Sequence, residues 1–221
     1  MNDLVKIVVP IYNGANYLHA FIVGIPDRFR NQFIMIDDGS SDGTGAMIQD
    51  AGINVIRHVK NRGKGAALRV GAKEAIDAGA RYIITMDVDL QHPLAELDKF
   101  MDIHDENEVR LGYRWNRKKM PVMRRLSNFI TSLLVSVRTN TVIKDSQCGF
   151  RAIPLVLFTR FHYQENGFPF ESELLLRAGL SGFTMNHIRI PTIYDRQSSA
   201  ISPLRDTLQF MILWFRSYFW V

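Results

Sequence analysis

The chain has 221 residues, of which 47% are hydrophobic and 22% charged, and its formal net charge is +5. These values exclude a disordered, collagen-like or disulfide-rich chain, and the length suits one compact domain with a substantial core. The single cysteine, Cys148, excludes an intrachain disulfide and is typical of a reducing compartment.

Two predicted strands near the N-terminus each end in a polar turn. Residues 6–10 form a short β-branched strand that ends at a proline and is followed by the turn-like residues 11–14. The second strand, 33–36, runs into an Asp-Asp-Gly-Ser-Ser-Asp-Gly-Thr segment. Asp38 lies where a carboxylate can accept hydrogen bonds from a nucleobase edge. The glycines and serines leave backbone N–H groups free near the next helix.

A basic, glycine-rich loop follows at residues 61–65, where Asn-Arg-Gly-Lys-Gly opens a helix of small residues. Such a loop is suited to lie against a diphosphate. It is not a dinucleotide fingerprint, because Leu68 stands where a third small residue is required. No Gly-x-x-x-x-Gly-Lys segment occurs either, which excludes a P-loop NTPase.

The next apolar run, residues 82–85, reads as a buried strand and leads into Asp87-x-Asp89-x-Gln91. Two carboxylates spaced in this way at a strand end can turn toward one cation, and Gln91 adds a neutral oxygen. Oxygen ligands suit Mg²⁺ or Mn²⁺, which take the rest of their shell from water and substrate phosphates. By itself the pair is more typical of a solvated turn that caps the helix near Leu94, so the metal interpretation depends on the neighbouring motifs.

The predicted strands alternate with helical stretches, which favours a mostly parallel, Rossmann-like sheet flanked by helices in a single α/β domain. The strands are expected near residues 5–10, 33–37, 53–57, 82–87 and 108–112. Binding residues then belong at the carboxyl ends of the strands, where Asp38 and Asp87 both lie.

A basic cluster and an apolar stripe occupy the region after the fifth strand. The cluster comprises Arg110, Arg114, Arg117, Lys118, Lys119, Arg124 and Arg125. No nucleic-acid motif accompanies it, so we expect no nucleic-acid partner, and a solvated basic face stays open. The stripe has helical spacing and comprises Met123, Leu126, Phe129, Ile130, Leu133, Leu134 and Val137. It fits a core helix, a membrane surface or the wall of a lipid groove.

The C-terminal segment, residues 204–221, has helical propensity and is dense in aromatics. Its longest uncharged stretch is nine residues, between Asp206 and Arg216, whereas a bilayer span needs about 20. Arg205 and Arg216 can snorkel while the aromatic rings sit at headgroup level. A helix that packs on the domain or forms a homodimer is the alternative. The N-terminus shows no signal-peptide pattern, and we expect a peripheral protein at the cytoplasmic face of a membrane.

Five motifs together resemble those of family 2 glycosyltransferases, in the same order. They are Val-Pro-Ile-Tyr-Asn at 9–13, the Asp-Asp-Gly-Ser segment at 37–44, the loop at 61–65, Asp-x-Asp-x-Gln at 87–91, and Asp-Ser-Gln-Cys-Gly-Phe-Arg at 145–151. Within this family the chain looks most like the dolichyl-phosphate mannose synthase branch and its bacterial polyprenyl-phosphate relatives. The resemblance implies a GT-A domain over residues 1–200 and a C-terminal amphipathic helix over 201–221. Gly14 departs from the acidic residue that many members carry there.

The resemblance also implies an inverting, metal-dependent transfer from a UDP- or GDP-linked sugar to a polyprenyl (dolichyl or undecaprenyl) phosphate. Asp87, Asp89 and Gln91 would hold Mg²⁺ or Mn²⁺. The donor would lie against Pro10, Tyr12, Asn13, Asp38, Gly39, Asn61, Lys64, Gly65 and Asp87. Arg114 and Arg125 resemble the arginines that hold the acceptor phosphate, for which a guanidinium fork is well suited.

The acceptor decides whether a base is needed. A lipid phosphate is already an anionic nucleophile and needs only positioning. A sugar hydroxyl of a glycan or glycolipid needs a base, for which Asp145 is the first candidate and Glu171 or Glu173 the next. In the plain alternative, Asp145 only braces the turn at 149–151 and the two glutamates only begin a helix near 174–178.

Other functions stay open at this point. Residues 197–200, Gln-Ser-Ser-Ala, depart from the Ser-Lys pair common in the synthase branch, which weakens the case for a lipid acceptor. A nucleotidyltransferase would usually show a glycine-rich loop with Thr-Arg after the first strand, which residues 9–12 do not provide. A non-catalytic nucleotide-sugar-binding protein is disfavoured by the paired carboxylates.

Overall fold

Within residues 4–103, 105–116, 120–191 and 203–220, which the computed structural model describes, seven strands form one sheet. The strands are β1 (Val5–Ile11), β2 (Phe33–Asp37), β3 (Asn54–Arg57), β4 (Tyr82–Thr85), β5 (Glu108–Arg114), β6 (Arg151–Pro154) and β7 (Thr184–Ile190). The helices are α1 (Ala15–Val23), α2 (Thr44–Asp50), α3 (Lys64–Asp77), α4 (Asp98–Met101), α5 (Val122–Thr139), α6 (Val156–Arg160), α7 (Pro169–Leu180) and α8 (Pro203–Arg216). Short 3-10 segments span Asp27–Gln32, Leu94–Leu97 and Ser217–Phe219.

The strand order is β3-β2-β1-β4-β6-β5-β7. The first four strands pair in parallel, β6 is antiparallel to both β4 and β5, and β5 pairs in parallel with β7. The predicted α/β class with a mostly parallel sheet is therefore confirmed. The strands β6 and β7 were not predicted.

A crevice forms at the carboxyl edge of this sheet. The connection that leaves β1 leads to β2 on one side, and the connection that leaves β4 leads to β5 on the other, so the strand order reverses between β1 and β4, and ligands bind in the opening at such a switch point. The segments that follow β1, β2 and β4 all reach this edge. It holds most of the residues that the sequence proposes for the donor and the cation.

Two apolar layers cover the faces of the sheet, because successive side chains in a strand point to opposite sides. Val8 and Ile83 pack with α3 and α7 in one layer, whereas Val9 and Ile84 pack with α1 in the other. The helix α3 approaches the sheet closely at Gly71, where a Cβ atom would lie 2.3 Å from Cγ1 of Val8. The run of small residues in this helix is thus explained by packing.

The helix α5 turns its apolar stripe outward. Its buried residues are mainly polar: Asn128, Thr131, Ser132, Val135 and Thr139. Its large exposed residues are Val122, Met123, Leu126, Phe129, Leu133 and Val137. Ile130 and Leu134 are intermediate. The interpretation of this stripe as core is therefore wrong for most of its residues.

The C-terminal helix α8 packs against α5 and α7. It buries Phe210 and Leu213 in the core, and the indole N–H of Trp214 donates to the carbonyl of Leu134 at 2.8 Å. Its other face is apolar and exposed, and includes Ile212 and Phe215. Among the described residues, no helix is long and apolar enough to cross a membrane.

Several sequence features lie outside the described residues. They are the basic residues 117–119 of the cluster and the 197–200 segment that departs from the Ser-Lys pair. The side chains of residues 203–206 also lie outside the description, so the snorkelling expected of Arg205 stays a prediction.

Candidate functional site

Asp87 and Asp89 follow β4 in a tight turn at the crevice. Leu90 adopts a φ of 58°, a left-handed conformation that is rare for such a residue, and the backbone N–H of Gln91 donates to Oδ1 of Asp89 at 3.0 Å. This turn keeps the two carboxylates on the same side of the crevice. For Gln91 the structure shows this backbone contact, and coordination by its side-chain oxygen stays a prediction.

The negative charges of Asp87 and Asp89 repel each other. Burial and the charge of Asp87 raise the pKa of Asp89 to about 6. A cation would relieve this repulsion, and hard oxygen ligands at a half-buried site fit Mg²⁺ or Mn²⁺. Among the described residues no group of three or more His, Cys, Asp or Glu could hold an ion. A cation at this pair would therefore complete its shell with water and substrate oxygens.

Lys64 connects this pair to α7. Its Nζ lies 2.7 Å from Oδ1 of Asp87 and 3.0 Å from Oε2 of Glu171. Burial alone would lower the pKa of Lys64, but the two carboxylates raise it well above its ordinary value. In the same way, burial would raise the pKa of Asp87, yet Lys64 holds it below its ordinary value. Both partners are therefore charged.

Sequence reasoning gave no role to Gly149, which packs directly on Asp87. A Cβ atom at this position would lie 2.4 Å from Oδ2 of Asp87. The carbonyl of Gly149 accepts a hydrogen bond from the Thr85 hydroxyl at 2.8 Å, which fixes the turn. The Gln-Cys-Gly-Phe motif contained this glycine, but nothing in the sequence showed that it packs on Asp87.

His92 was also missed. Its Nε2 lies 3.7 Å from Sγ of the buried Cys148. Burial and the charge of Arg114 lower the pKa of His92 to about 4, so the imidazole is neutral. The thiol itself is buried, in agreement with a structural role for Cys148.

The turns after β1 and β2 are joined by hydrogen bonds. The N–H of Asn13 donates to Ser40 Oγ at 2.9 Å, the N–H of Ser41 donates to Asn13 Oδ1 at 3.0 Å, and the N–H of Gly14 donates to Thr44 Oγ1 at 3.0 Å. These bonds fix the turn that contains Asn13 against the segment that opens α2.

The packing of this turn explains why a glycine stands at position 14, where the resemblance leads one to expect an acidic residue. A Cβ atom there would lie 2.6 Å from Cγ2 of Ile11 and 3.3 Å from Cγ1 of Val88, so a larger residue needs these side chains to shift. Pro10 and Tyr12 flank this turn, and Tyr12 is exposed at the crevice edge. Their contact with the donor stays a prediction.

Asp38 lies at the end of β2, as predicted, and its carboxylate is hydrogen-bonded to groups of the protein itself. It is buried, and it accepts the N–H groups of Arg62 at 2.9 Å and Gly63 at 2.8 Å. Nδ1 of His58 lies 2.6 Å from the same carboxylate. Both oxygens hold the glycine-rich loop in this structure, and the expected direct contact with a nucleobase stays a prediction.

The glycines near this loop are required by packing. Gly39 has a φ of +75°, and a Cβ atom there would lie 2.5 Å from the backbone of Lys60. Gly63 has a φ of +95°, and its Cβ would lie 2.5 Å from the carbonyl oxygen of Asn166. A Cβ on Gly65 would meet Phe170 at 2.4 Å. The predicted donor residue Asn61 is exposed beside them.

Arg114 and Asp145 form a buried ion pair. Nε and Nη2 of Arg114 lie 2.7 Å and 2.8 Å from the two oxygens of Asp145, and Asn128 Nδ2 donates to Oδ1 at 2.8 Å. The side chains are 1% and 0% exposed. In this pair Arg114 binds a carboxylate of the protein, and the roles expected of Arg114 toward an acceptor phosphate and of Asp145 as a base stay predictions.

A different arginine lies beside the carboxylate pair. The positive charge of Arg124 lowers the pKa of Asp89, against the larger effects of burial and of Asp87. The predicted Arg125 is exposed on the next position of α5. The sequence pointed to the Arg124-Arg125 doublet as a source of positive charge for the acceptor phosphate and favoured Arg125. The structure shows that Arg124 is the member near Asp89.

The helix α7 begins at Pro169, earlier than expected, and separates the two glutamates. Glu173 is fully buried, accepts the N–H groups of Gln164 and Glu165, and pairs with Arg177. It is therefore structural. Glu171 lies in the first turn of α7 and faces Lys64.

Glu171 also lines a groove between α5, α7, α8 and the turn at 145–149. The groove is lined by Thr131, Ser146, Gln147, Phe168, Pro169, Glu171, Ser172, Thr207 and Phe210. Glu171 connects this lining to the carboxylate pair, because it contacts Lys64, which in turn contacts Asp87. The groove therefore adjoins the crevice, and its wall includes Thr131 of α5 and Phe210 of α8.

Comparisons with known proteins agree with this geometry. The family model described as "Glycosyl transferase family 2" matches residues 6–167. The UDP-N-acetylglucosamine–dolichyl-phosphate N-acetylglucosaminyltransferase of Methanococcus voltae is 25% identical over 224 residues, covering 90% of this chain and 89% of that protein. The polyprenol monophosphomannose synthase of Mycolicibacterium smegmatis is 24% identical over 219 residues, covering 90% of this chain and 80% of that protein.

A solved structure shares the fold. Glucosyl-3-phosphoglycerate synthase from Mycobacterium tuberculosis, crystallised with Mn²⁺, UDP-glucose and phosphoglyceric acid, superimposes with a TM-score of 0.73. The match covers 96% of this chain and 79% of that chain at 17% identity. This likeness confirms the predicted GT-A fold.

Proposed function

The chain belongs to glycosyl transferase family 2, and from this premise we propose that it transfers a sugar from a nucleoside-diphosphate donor to a polyprenyl phosphate, with inversion and with a divalent cation. Relatives named for transfer to dolichyl and polyprenol phosphates support this acceptor class. The observation that carries the proposal is the outward apolar face of α5, which begins in the same turn as Arg124.

The donor half of the site is built from Lys64 and the carboxylate pair. The charged ammonium of Lys64 and the backbone N–H groups at the start of α3 favour a diphosphate. A divalent cation held by Asp87 and Asp89 would neutralise the charge that develops on the departing nucleoside diphosphate. The buried glycine contacts keep Asp87 and the loop in place, which limits the reorganisation needed during transfer.

The acceptor half combines Arg124 with the groove. A phosphate that enters beside Asp89 needs no base, and Arg124 supplies the positive charge that holds it. Phe168, Pro169 and Phe210 give the groove an apolar side along which the first isoprenoid units can lie. Arg125, exposed on α5, is placed to contact lipid headgroups.

The membrane surface is the proposed working environment. Residues 1–200 would form the catalytic domain, and residues 201–221 a surface helix whose buried side, with Phe210 and Leu213, docks on that domain. Its exposed side and the stripe of α5 together form an apolar surface that fits the interfacial region of a bilayer. A cytoplasmic face agrees with the single reduced cysteine.

A second acceptor class is favoured by one observation. Glu171 lines the groove together with the hydroxyls of Thr131, Ser172 and Thr207, as a base for a sugar hydroxyl would. Transfer to a glycan or glycolipid hydroxyl is therefore the alternative.

The two acceptors can be separated with the full chain. The assay measures release of nucleoside diphosphate from UDP- and GDP-sugars with Mg²⁺ or Mn²⁺, on vesicles that contain a polyprenyl phosphate or the matching polyprenol without phosphate. We expect release only with the phosphate, and similar release by Glu171→Gln. Transfer to soluble glycans alone, abolished by Glu171→Gln, would overturn the lipid-phosphate acceptor in favour of the hydroxyl.

A further inference from the structure

His58 is a buried imidazole directly behind the donor site. It follows β3, and its backbone N–H donates to the carbonyl of Asp37 at 2.9 Å, which extends the pairing of β3 with β2. Its Nδ1 lies 2.6 Å from Oδ1 of Asp38, and the two residues are 7% and 3% exposed. Nothing in the donor, cation or acceptor sites described above uses this imidazole.

The contact defines what His58 supplies. Because a carboxylate accepts and does not donate, the hydrogen of a neutral His58 lies on Nδ1. Nε2 then carries the lone pair, and within the described part of the chain it has no hydrogen-bond partner. The side chain thus acts on Asp38 through Nδ1 alone.

Asp38 in turn holds the glycine-rich loop. Its carboxylate accepts hydrogen bonds from the N–H groups of Arg62 and Gly63 as well as from His58. A buried carboxylate is stable only when its oxygens are hydrogen-bonded in a fixed orientation. Without the imidazole, the carboxylate loses a donor and the constraint that aims it at the loop.

The loop carries Lys64 between two anchors. Before Lys64, the carboxylate of Asp38 accepts the N–H groups of Arg62 and Gly63. After Lys64, the carbonyl of Asn166 accepts the N–H of Ala66 at 3.1 Å. The Lys64 ammonium then reaches Asp87. An unbroken series of contacts therefore leads from His58 to the carboxylate pair.

We propose that His58 is a positioning residue for the nucleoside-diphosphate donor, acting through Asp38 on the loop at 61–65. It orients the carboxylate, which fixes the loop backbone at Arg62 and Gly63 and thereby places the Lys64 side chain where it can receive the diphosphate. This inference rests on the proposed function, because it takes the loop to be the diphosphate site.

The test uses four variants of the full chain. His58→Leu removes the imidazole, His58→Asn keeps a donor near the Nδ1 position, His58→Gln offers one near Nε2, and His19→Leu removes an exposed imidazole on α1 as a control. Binding of UDP and GDP is measured by calorimetry, steady-state kinetics give kcat and the KM for the donor, and thermal unfolding is followed in parallel.

We expect His58→Leu to raise the Kd of the bound nucleotide and the donor KM about 10-fold, with kcat changed less than about twofold. His58→Asn should restore most of the affinity, whereas His58→Gln should not, and His19→Leu should match the wild type. In a double variant with Lys64→Met, His58→Leu should add little further loss, because both act through one loop.

Several results would overturn the proposal. They are wild-type affinity in His58→Leu, a fall in kcat with unchanged affinity, full additivity with Lys64→Met, or rescue by glutamine rather than asparagine. Should His58→Leu fail to fold, the comparison of asparagine with glutamine decides alone, and equal affinities would refute the role. A wild-type protein that binds neither UDP nor GDP would overturn the proposed function itself, and the premise of this inference with it.

Discussion

The guanidinium of Arg114 and the carboxylate of Asp145 meet in a bidentate ion pair, with Nε–Oδ2 and Nη2–Oδ1 distances of 2.7 Å and 2.8 Å. The pair joins the end of β5 to the turn that carries Gly149, and through Asn128 to α5. Arg114 and Asp145, for which the sequence motifs suggested roles in acceptor binding and catalysis, thus join β5, α5 and the turn beside Asp87.

Removing one partner of this pair should destabilise the fold. Arg114→Leu leaves the Asp145 carboxylate buried without its cation, and we expect the free energy of unfolding to fall by about 3–5 kcal/mol. Urea denaturation measures the loss, with the exposed Arg125→Leu as a control that changes stability by less than about 0.5 kcal/mol. A stable Arg114→Leu protein that fails only with lipid phosphate would contradict this structural role and support the predicted contact of Arg114 with the acceptor.

Asp89 should be required for cation binding and turnover but not for folding. It lies in a half-buried turn and belongs to neither apolar layer, so Asp89→Asn removes a charged ligand without opening the core. We expect turnover to fall by about 100-fold or more while thermal unfolding without added cation stays within a few degrees. Titration with Mn²⁺ alone should show weakened binding. Unchanged activity in Asp89→Ala, or full activity in excess chelator, would contradict this role.

Gly149→Ala should displace the Asp87 carboxylate, since the added Cβ would lie 2.4 Å from Oδ2. A misplacement of about 1 Å at a reacting site costs on the order of 100-fold in turnover. Gly167→Ala is a matched control, because a Cβ there meets only Pro169 at 3.6 Å. Steady-state kinetics of the two variants make the comparison, and equal activities would show that the turn at 149 can relax away from Asp87.

The outward stripe of α5 should bind anionic vesicles. Phe129→Glu places a negative charge on the exposed apolar face, and we expect vesicle affinity to fall about 10-fold or more. Val23→Glu, at an exposed position on α1, is the control. Co-sedimentation measures binding, and light scattering measures mass. A variant that still binds vesicles but loses a dimer would identify the stripe as a contact between copies of the chain.

Cys148 should be unreactive in the folded protein. Burial raises the pKa of its thiol to about 12, so at pH 8 the thiolate required for alkylation is scarce and shielded. We expect slow modification by iodoacetamide that becomes fast in urea. Rapid modification of the native protein would indicate that the turn at 145–149 opens readily.

The strands and their polar ends were predictable because they depend on local pattern. The apolar runs of β1, β2 and β4 are continuous, and motifs that follow parallel strands must share one edge of the sheet. The short strand β6 was hidden because it opens with Arg151, a buried arginine that donates to the carbonyls of Cys148 and Ser146. A charged residue inside the core gives no strand signal.

The direction of side chains was not predictable in the same way. Periodicity showed that α5 has one apolar face, but not whether that face meets the core or the surroundings. Likewise, the position of Asp38 was correct while its partners, His58 and the loop N–H groups, come from segments about 20 residues further along the chain. Such choices are made by tertiary contacts, which a single sequence does not display.

The reversed polarity of α5 has a consequence for every measurement of stability. A helix that turns hydroxyls and an amide inward and large apolar side chains outward gains little from water as its surroundings. On the membrane surface that we propose as its working environment, lipid would replace water around this part of the molecule. A free energy of unfolding determined in plain buffer therefore refers to a different reference system from one determined on a bilayer, and the two values should not be compared directly.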